Sequence, residues 1–253
     1  MKNAIFQYYL DFNGVGKQGH HYTNGGPPDW ALKSVEYFKR YAEMWDADYY
    51  FMADRFVEST STFFEVTRIF KDPMFDQYDK VLYCDVDVIP KEMTHSIFAE
   101  LGDADVAGWP EHRQPDFIVD INWSATAALQ QRFADFGSKL VPAESHNQGI
   151  RMVNSGVMVW SREARLKARE LFDDHEKWFN HKNALLDQKW VSAGHSSHCL
   201  DQPYMNAMWN KFNFDVKELK RVWNRFPTQN ENTPCYFAHY VGDHRFKICE
   251  RFQ

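Results

Sequence analysis

Asp85 and Asp87 stand one residue apart near the end of an apolar run, VLYCDVDVIP, from Val81 to Pro90. Burying an unpaired carboxylate is costly, so a strand that reads as buried must offer this pair a partner. In an extended chain, residues two apart point the same way, so both carboxylates face one site. Hard oxygen ligands of this kind suit Mn²⁺ or Mg²⁺, which hold one or two carboxylates and complete their shell with phosphate and water. Two other readings compete. The aspartates could cap a helix opening near Lys91, or the first could be the nucleophile of a phosphatase. A phosphatase motif of that type sits on a first strand, whereas two apparent βα units precede this pair.

Three further segments carry chemistry, in chain order. VNSGVMVW places Asn154, Ser155 and Gly156 at a break in a strand, where a glycine lets a ligand approach the backbone. LDQPYMNAMW places Asp201 and Gln202 just before Pro203, which fits the first turn of a helix. AHYVGDHRFK sets His239 after an apolar strand, with Gly242, Arg245 and Lys247 beyond it. Histidine can be a third metal ligand, and Arg or Lys can neutralise a diphosphate. Other signals are weaker. GHSSHC gathers His195, His198 and Cys199, but no fourth zinc ligand stands nearby, so it reads as a loop leading into the Asp201 segment. GVGK lacks the P-loop spacing. RVWNRFP, Arg221 to Pro227, either packs against the core or lines a groove.

Stepped β and α patterns must hold these residues in place. AIFQYYL (Ala4–Leu10) reads as a strand and runs into a Gly-, Asn- and Pro-rich loop. WALKSVEYFKRYAEMW has Leu32, Val35, Phe38 and Ala42 at helical spacing. ADYYFMA is a second strand, STFFEVTRIFKDPMF a second helix stopped near Pro73, and KVLYC a third strand. The alternation predicts a mostly parallel sheet with helices on both faces. A helix is expected from near Lys91 through KEMTHSIFAEL, then a strand at DVAGWP and a helix at DINWSATAALQQRFADF. After RMVNSGVMVW, SREARLKARELFDDHEKWFN predicts one long helix with Ser161 as its N-cap. No repeat or clean linker interrupts the chain.

Bulk properties narrow the class. The chain has 253 residues, 44% hydrophobic and 25% charged, which suits one α/β domain. A net charge of −6 and the lack of a dense basic stripe argue against a nucleic-acid binder. Aromatic residues make up 17%, and most of them are expected in the core. The four cysteines, Cys84, Cys199, Cys235 and Cys249, form no C-x-x-C pair and read as free thiols. No signal peptide or run long enough to span a membrane is legible, so a soluble, cytoplasmic chain is expected.

Taken together, these segments resemble the metal-dependent glycosyltransferases of the GT-A fold, most closely glycosyltransferase family 8 and related retaining families. The family's Y-D-K-V-L-Y-x-D-x-D appears as YDKVLYCDVD, which contains the DxD motif. Its F-N-S-G-V-x appears as VNSGVM, its D-Q as Asp201-Gln202, and its H-F/Y-x-G as HYVG. The resemblance implies an α/β, Rossmann-like GT-A domain over residues 1–253. Residues 1–110 would bind nucleotide and metal, and 111–253 would bind sugar and acceptor. It implies a nucleoside-diphosphate sugar donor, first of all a UDP-sugar, and a glycan or other hydroxyl acceptor. Asp85, Asp87 and His239 would bind Mn²⁺ or Mg²⁺. Asn154 and Ser155 would lie under the donor sugar, Asp201 would bond its hydroxyls, and Gln202 would lie near the anomeric carbon. Tyr8 and Asp11 would meet base and ribose. Arg68 would contact the donor, and Gly242 with Arg245 or Lys247 would meet the diphosphate. His112 and Arg113 would face sugar and acceptor. A nucleotidyltransferase or phosphatase using the same Asp pair, or a non-catalytic nucleotide-sugar-binding module, are the rival readings.

Overall fold

The computed structural model describes residues 1–10, 26–59, 61–110, 123–140, 152–181, 200–226 and 234–252. Six strands form the main sheet: β1 (Asn3–Tyr8), β2 (Ala47–Met52), β3 (Lys80–Cys84), β5 (Val106–Pro110), β6 (Val153–Ser161) and β7 (Val216–Glu218). Their order is β2-β1-β3-β6-β5-β7. β6 runs antiparallel to both neighbours and the remaining pairings are parallel, as expected of a mostly parallel sheet.

The apolar strands are continuous because both faces of the sheet are covered. Val81 and Tyr83 face one cluster with Phe6, Met158 and Trp160, under α5 (Arg162–Leu171) and α7 (Asp201–Lys211). Leu82 and Cys84 face the other with Ile5, Val157 and Val159, under α1 (Asp29–Met44) and α3 (Ile97–Leu101). Cys84 is fully buried, and Cys84, Cys235 and Cys249 are free thiols.

Several elements differ from expectation for identifiable reasons. Leu32 points outward, because Ala31, Ser34, Val35, Phe38, Tyr41 and Ala42 form the buried stripe of α1. The segment expected as one helix stopped near Pro73 is a 3₁₀ stretch, Thr62–Thr67, followed by one turn, α2 (Arg68–Lys71). Its β-branched and aromatic residues favour helix weakly. No helix opens at Lys91. The backbone N–H groups of Lys91 and Glu92 both donate to the Tyr236 carbonyl, and helix begins only at Ile97, whose N–H donates to the Tyr41 hydroxyl. That removes the helix-cap reading of the aspartates. Ser161 does cap α5, accepting from the Ala164 N–H at 3.1 Å, but the helix stops at Leu171. Asp174 then caps a separate α6 (His175–Phe179). The helix expected around residues 120–136 is α4 (Trp123–Asp135).

A second, two-stranded sheet positions the site. β4 (Val88–Pro90) pairs antiparallel with β8 (Phe237–His239), setting Val88 opposite His239. The Tyr240 N–H adds a 2.8 Å bond to the Asp87 carbonyl. The chain then turns through a 3₁₀ stretch, Gly242–Phe246, into α8 (Lys247–Arg251).

Candidate active site

Asp85 and Asp87 lie just past the end of β3, and β8 lays His239 against them. His239 Nε2 is 3.1 Å from Asp87 Oδ1 and 3.7 Å from Asp85 Oδ2. One ligand atom from each residue falls within a 4.8 Å cluster. Asp87 and His239 are buried, while the Asp85 side chain is 38% exposed, so the cluster opens on the Asp85 side. The Tyr83 hydroxyl donates to Asp85 Oδ1 at 2.5 Å. Arg245 Nε donates to Asp87 Oδ2 at 2.6 Å, with its guanidinium over the Trp30 ring.

The surrounding backbone explains the fit. Gly108 pairs with Met158 but Pro110 with Val153, so β6 carries extra residues across Asn154–Val157. The break expected at Asn-Ser-Gly is this irregularity in an otherwise continuous strand. It brings Gly156 under Asp85 and His239, with its carbonyl accepting from the Asp85 N–H at 2.9 Å. A Cβ on Gly156 would lie 2.4 Å from His239 Cε1 and 2.8 Å from Asp85 Oδ2.

The donor set suits a hard divalent cation. His239 Nδ1 lies 2.9 Å from Asn224 Oδ1, so a neutral His239 carries its proton there and turns a lone pair toward Asp87. Asp87 Oδ1 is then buried without a hydrogen-bond donor. Two carboxylates and an imidazole gathered around such an atom fit a hard divalent cation such as Mn²⁺ or Mg²⁺.

Electrostatics follow from the same packing. Burial, then the Asp87 charge, pushes the Asp85 carboxyl above its ordinary range. Burial also opposes the charge on Asp87, yet Arg245 and His239 hold it well below that range. His239 is raised against its burial, chiefly by Asp87.

A chain of amides joins Gln202 to this cluster. Asn224 Nδ2 donates to Asn154 Oδ1 at 2.8 Å, and Asn154 Nδ2 donates to Gln202 Oε1 at 3.1 Å. Asn206 locks α7 onto β6 by donating to the Val153 carbonyl and accepting from the Val153 N–H, both at 2.9 Å.

Comparison with known proteins decides the family. The profile of glycosyl transferase family 8 matches residues 49–244. The chain belongs to glycosyl transferase family 8. No curated protein matches it. Among solved structures, a glycosyltransferase involved in glycosylating the major capsid of PBCV-1 is 14% identical with a TM-score of 0.52, covering 98% of each chain. That likeness supports the GT-A fold. Mouse xyloside xylosyltransferase 1 is 13% identical with a TM-score of 0.48, over 96% of this chain and 98% of that one. The galactosyltransferase LgtC, solved with donor and acceptor sugar analogs, is 14% identical with a TM-score of 0.44, over 95% of this chain and 87% of that one.

This family 8 chain therefore is a glycosyltransferase, and most of the expected site residues can be located. Asp85, Asp87, His239 and Arg245 meet directly, and Asn154, Ser155, Gln202 and Asp201 adjoin them through β6 and α7. Tyr8 stacks on Tyr83, with ring centroids 5.8 Å apart, and donates to the Phe63 carbonyl. Arg68 is buried and engaged by Asp72 at 3.0 Å, Asp54 at 3.4 Å and Glu65 at 3.5 Å. Gly242 has φ +60°, a backbone that favours glycine, and no atom would crowd a Cβ there. Lys247 starts α8, half-buried. Asp11, His112, Arg113, His195, His198 and Cys199 lie outside the described residues. Tyr83, Asn206 and Asn224 were not anticipated. Tyr83 could have been found as the residue two before Asp85 on the same strand face; neither asparagine had a spacing signal. Among the described residues no helix is long and apolar enough to cross a membrane.

Asp201 yields a pH prediction. Burial raises its carboxyl to about 7; the Ser155 hydroxyl works against the shift, and the Asp85 charge adds to it. A carboxyl raised on folding stabilises the native state below its unfolded value of about 4, and that contribution is lost as pH climbs to its folded value. Asp201→Asn stays neutral throughout. In melts with chelator, the variant is expected to match the wild type near pH 4, gain on it up to pH 7, and hold a constant lead above. A lead independent of pH would show that Asp201 titrates normally.

Proposed function

We propose that this glycosyltransferase moves a hexose or pentose from a nucleoside-diphosphate sugar, first of all a UDP-sugar, to a hydroxyl of a glycan or other acceptor, with retention. The observation that carries this reading is the Asp85–Asp87–His239 cluster, buried on one side, open on the other and flanked by the Arg245 guanidinium. When bound, a divalent cation there supplies Lewis acidity to the departing diphosphate. Arg245 adds fixed positive charge next to the same position, with Lys247 beyond it and Gly242 leaving the backbone uncrowded. Tyr8 and Asp11 are assigned to the base and ribose. Arg68 is assigned a donor role through the loop it ties down with Asp54 and Glu65.

On the sugar side, Asn154 and Ser155 form the floor, Asp201 bonds hydroxyls, and Gln202 lies by the anomeric carbon. An amide at 202 favours front-face displacement over a glycosyl-enzyme, because an amide is a poor nucleophile. The bond from the anomeric carbon to the diphosphate breaks, the acceptor oxygen bonds on the same face, and the acceptor proton passes to the leaving diphosphate. Gln202 Oε1 is held by the Ser155 N–H at 3.3 Å as well as by Asn154, a fixed dipole beside developing charge.

The testing experiment is calorimetric titration of UDP with and without Mn²⁺, followed by a panel of UDP-sugars assayed for hydrolysis and transfer. UDP binding that requires Mn²⁺, with turnover of at least one UDP-sugar, is the expected result. Failure of UDP and of GDP alike, with and without the cation, would overturn the reading.

A further inference from the structure

Asn224 has no exposed surface and lies between His239 and Asn154, two residues of the site that are remote in sequence. It belongs to the RVWNRF segment, which packs inward, with Trp223 buried and Phe226 edge-on to His239 at 5.0 Å. Its amide joins His239 on one side and Asn154 on the other.

The direction of every bond in this chain follows from two backbone groups. The Gly156 N–H can only donate, and it donates to Asn154 Oδ1 at 3.0 Å. That atom of Asn154 is therefore the oxygen, and the Asn224 atom bonded to it at 2.8 Å is the NH₂. The Asn224 oxygen then faces His239 at 2.9 Å, which requires the proton on His239 Nδ1 and leaves Nε2 for the aspartates. In the other direction, Asn154 must turn its NH₂ to Gln202. The Ser155 N–H donates to the same Gln202 oxygen and fixes its orientation independently.

We propose that Asn224 is a positioning residue that sets the His239 tautomer for cation binding and, through Asn154, holds Gln202 in register with the cation site. The proposal rests on reading Asp85, Asp87 and His239 as a divalent cation site. A buried amide is suited to this role because it accepts on one arm and donates on the other. Alanine removes both arms. Asp keeps an acceptor for His239 but turns an oxygen on the Asn154 oxygen, so Asn224→Asp separates the two functions.

The test uses the metal-free full chain and Mn²⁺ as the probe. Calorimetry reads Mn²⁺ affinity, and NMR hydrogen exchange reads the Ser155 and Gly156 N–H groups without metal. At a pH where the imidazole is neutral, the ¹⁵N shifts of the wild type should place the His239 proton on Nδ1, facing the Asn224 oxygen. Asn224→Ala is expected to weaken Mn²⁺ binding about 10- to 100-fold and to speed exchange at both amides. Asn224→Asp is expected to keep Mn²⁺ affinity within about threefold while speeding exchange at both amides as Ala does. Should the Ala variant fail to fold, the Asp variant alone carries the test, since a merely structural role would not spare one readout and change the other. Mn²⁺ affinity unchanged in Asn224→Ala, or lost in Asn224→Asp, or exchange unaltered in Asn224→Asp, would overturn the role of Asn224 alone. No Mn²⁺ binding by the wild type would overturn the cation-site reading and this proposal together.

Discussion

Asp87→Asn is expected to lose more than about 100-fold in Mn²⁺ affinity, and its UDP binding should fall to the level seen without metal. The argument is one of charge at nearly constant volume. Asp87 is 2% exposed and receives Arg245 on one oxygen while the other lies 3.1 Å from His239 Nε2. An amide offers one weaker acceptor and sets an NH₂ group against either Arg245 or the imidazole. Removing one partner of a buried ion pair normally costs about 3–5 kcal/mol, because the other charge is stranded. Arg245 is 29% exposed and can turn to water, so the loss of stability should fall below that range. Calorimetry with Mn²⁺ and then UDP, alongside thermal melts, separates the two effects. A folded Asp87→Asn variant that binds UDP as the wild type does, with the same need for Mn²⁺, would remove Asp87 from the metal site.

Gly156→Ala should be nearly as damaging, although it changes no charge and no ligand. The added methyl would meet His239 Cε1 and Asp85 Oδ2 well inside van der Waals contact. Neither neighbour can easily give way. His239 is tied to Asn224 at Nδ1, and Asp85 is tied to the Gly156 carbonyl through its own N–H. The expected result is a loss of about 100-fold in Mn²⁺ affinity, with an overpacking cost of about 1–3 kcal/mol in stability. Gly242→Ala is the matched control. Its left-handed backbone makes alanine unfavourable by about 1–2 kcal/mol, but a methyl there touches nothing, so Mn²⁺ affinity should be unchanged. Equal Mn²⁺ affinities in the two variants would mean that Gly156 does not set the ligand spacing.

The contrast between these glycines shows what the sequence could reveal about the site. VLYCDVD announced both a buried strand and the paired carboxylates at its end, because apolar continuity and carboxylate spacing are local. Asp201-Gln202 at the start of a helix was legible from Pro203 in the same way. The β4–β8 pairing was not. Three residues such as Val88–Pro90 carry no period, and their partner lies far along the chain, so the stretch looked like the approach to a helix. Asn224 was hidden for a related reason. Its role comes from two hydrogen bonds to residues remote in sequence, and a single asparagine between Trp and Arg gives no pattern. Leu32 fits a helical stripe as well as Ala31 does, and only packing against the sheet decides which of the two turns inward.

The short β4–β8 ladder also has a consequence for how the protein assembles. Asp87 and Arg245 are 158 positions apart, so the site exists only after a very large loop has closed. Such contacts return their energy late, after the entropy of closure has been met. An ion that binds the completed triad but not its separated halves adds to stability by mass action, and it adds it at the seam where the two ends of that loop meet. A cation bound there would thereby serve as a clasp on the fold. Local opening of the segment carrying His239 and Arg245 would become rarer as the ion concentration rises, while strands far from the seam, such as β2, would be held no more tightly against local fraying than before.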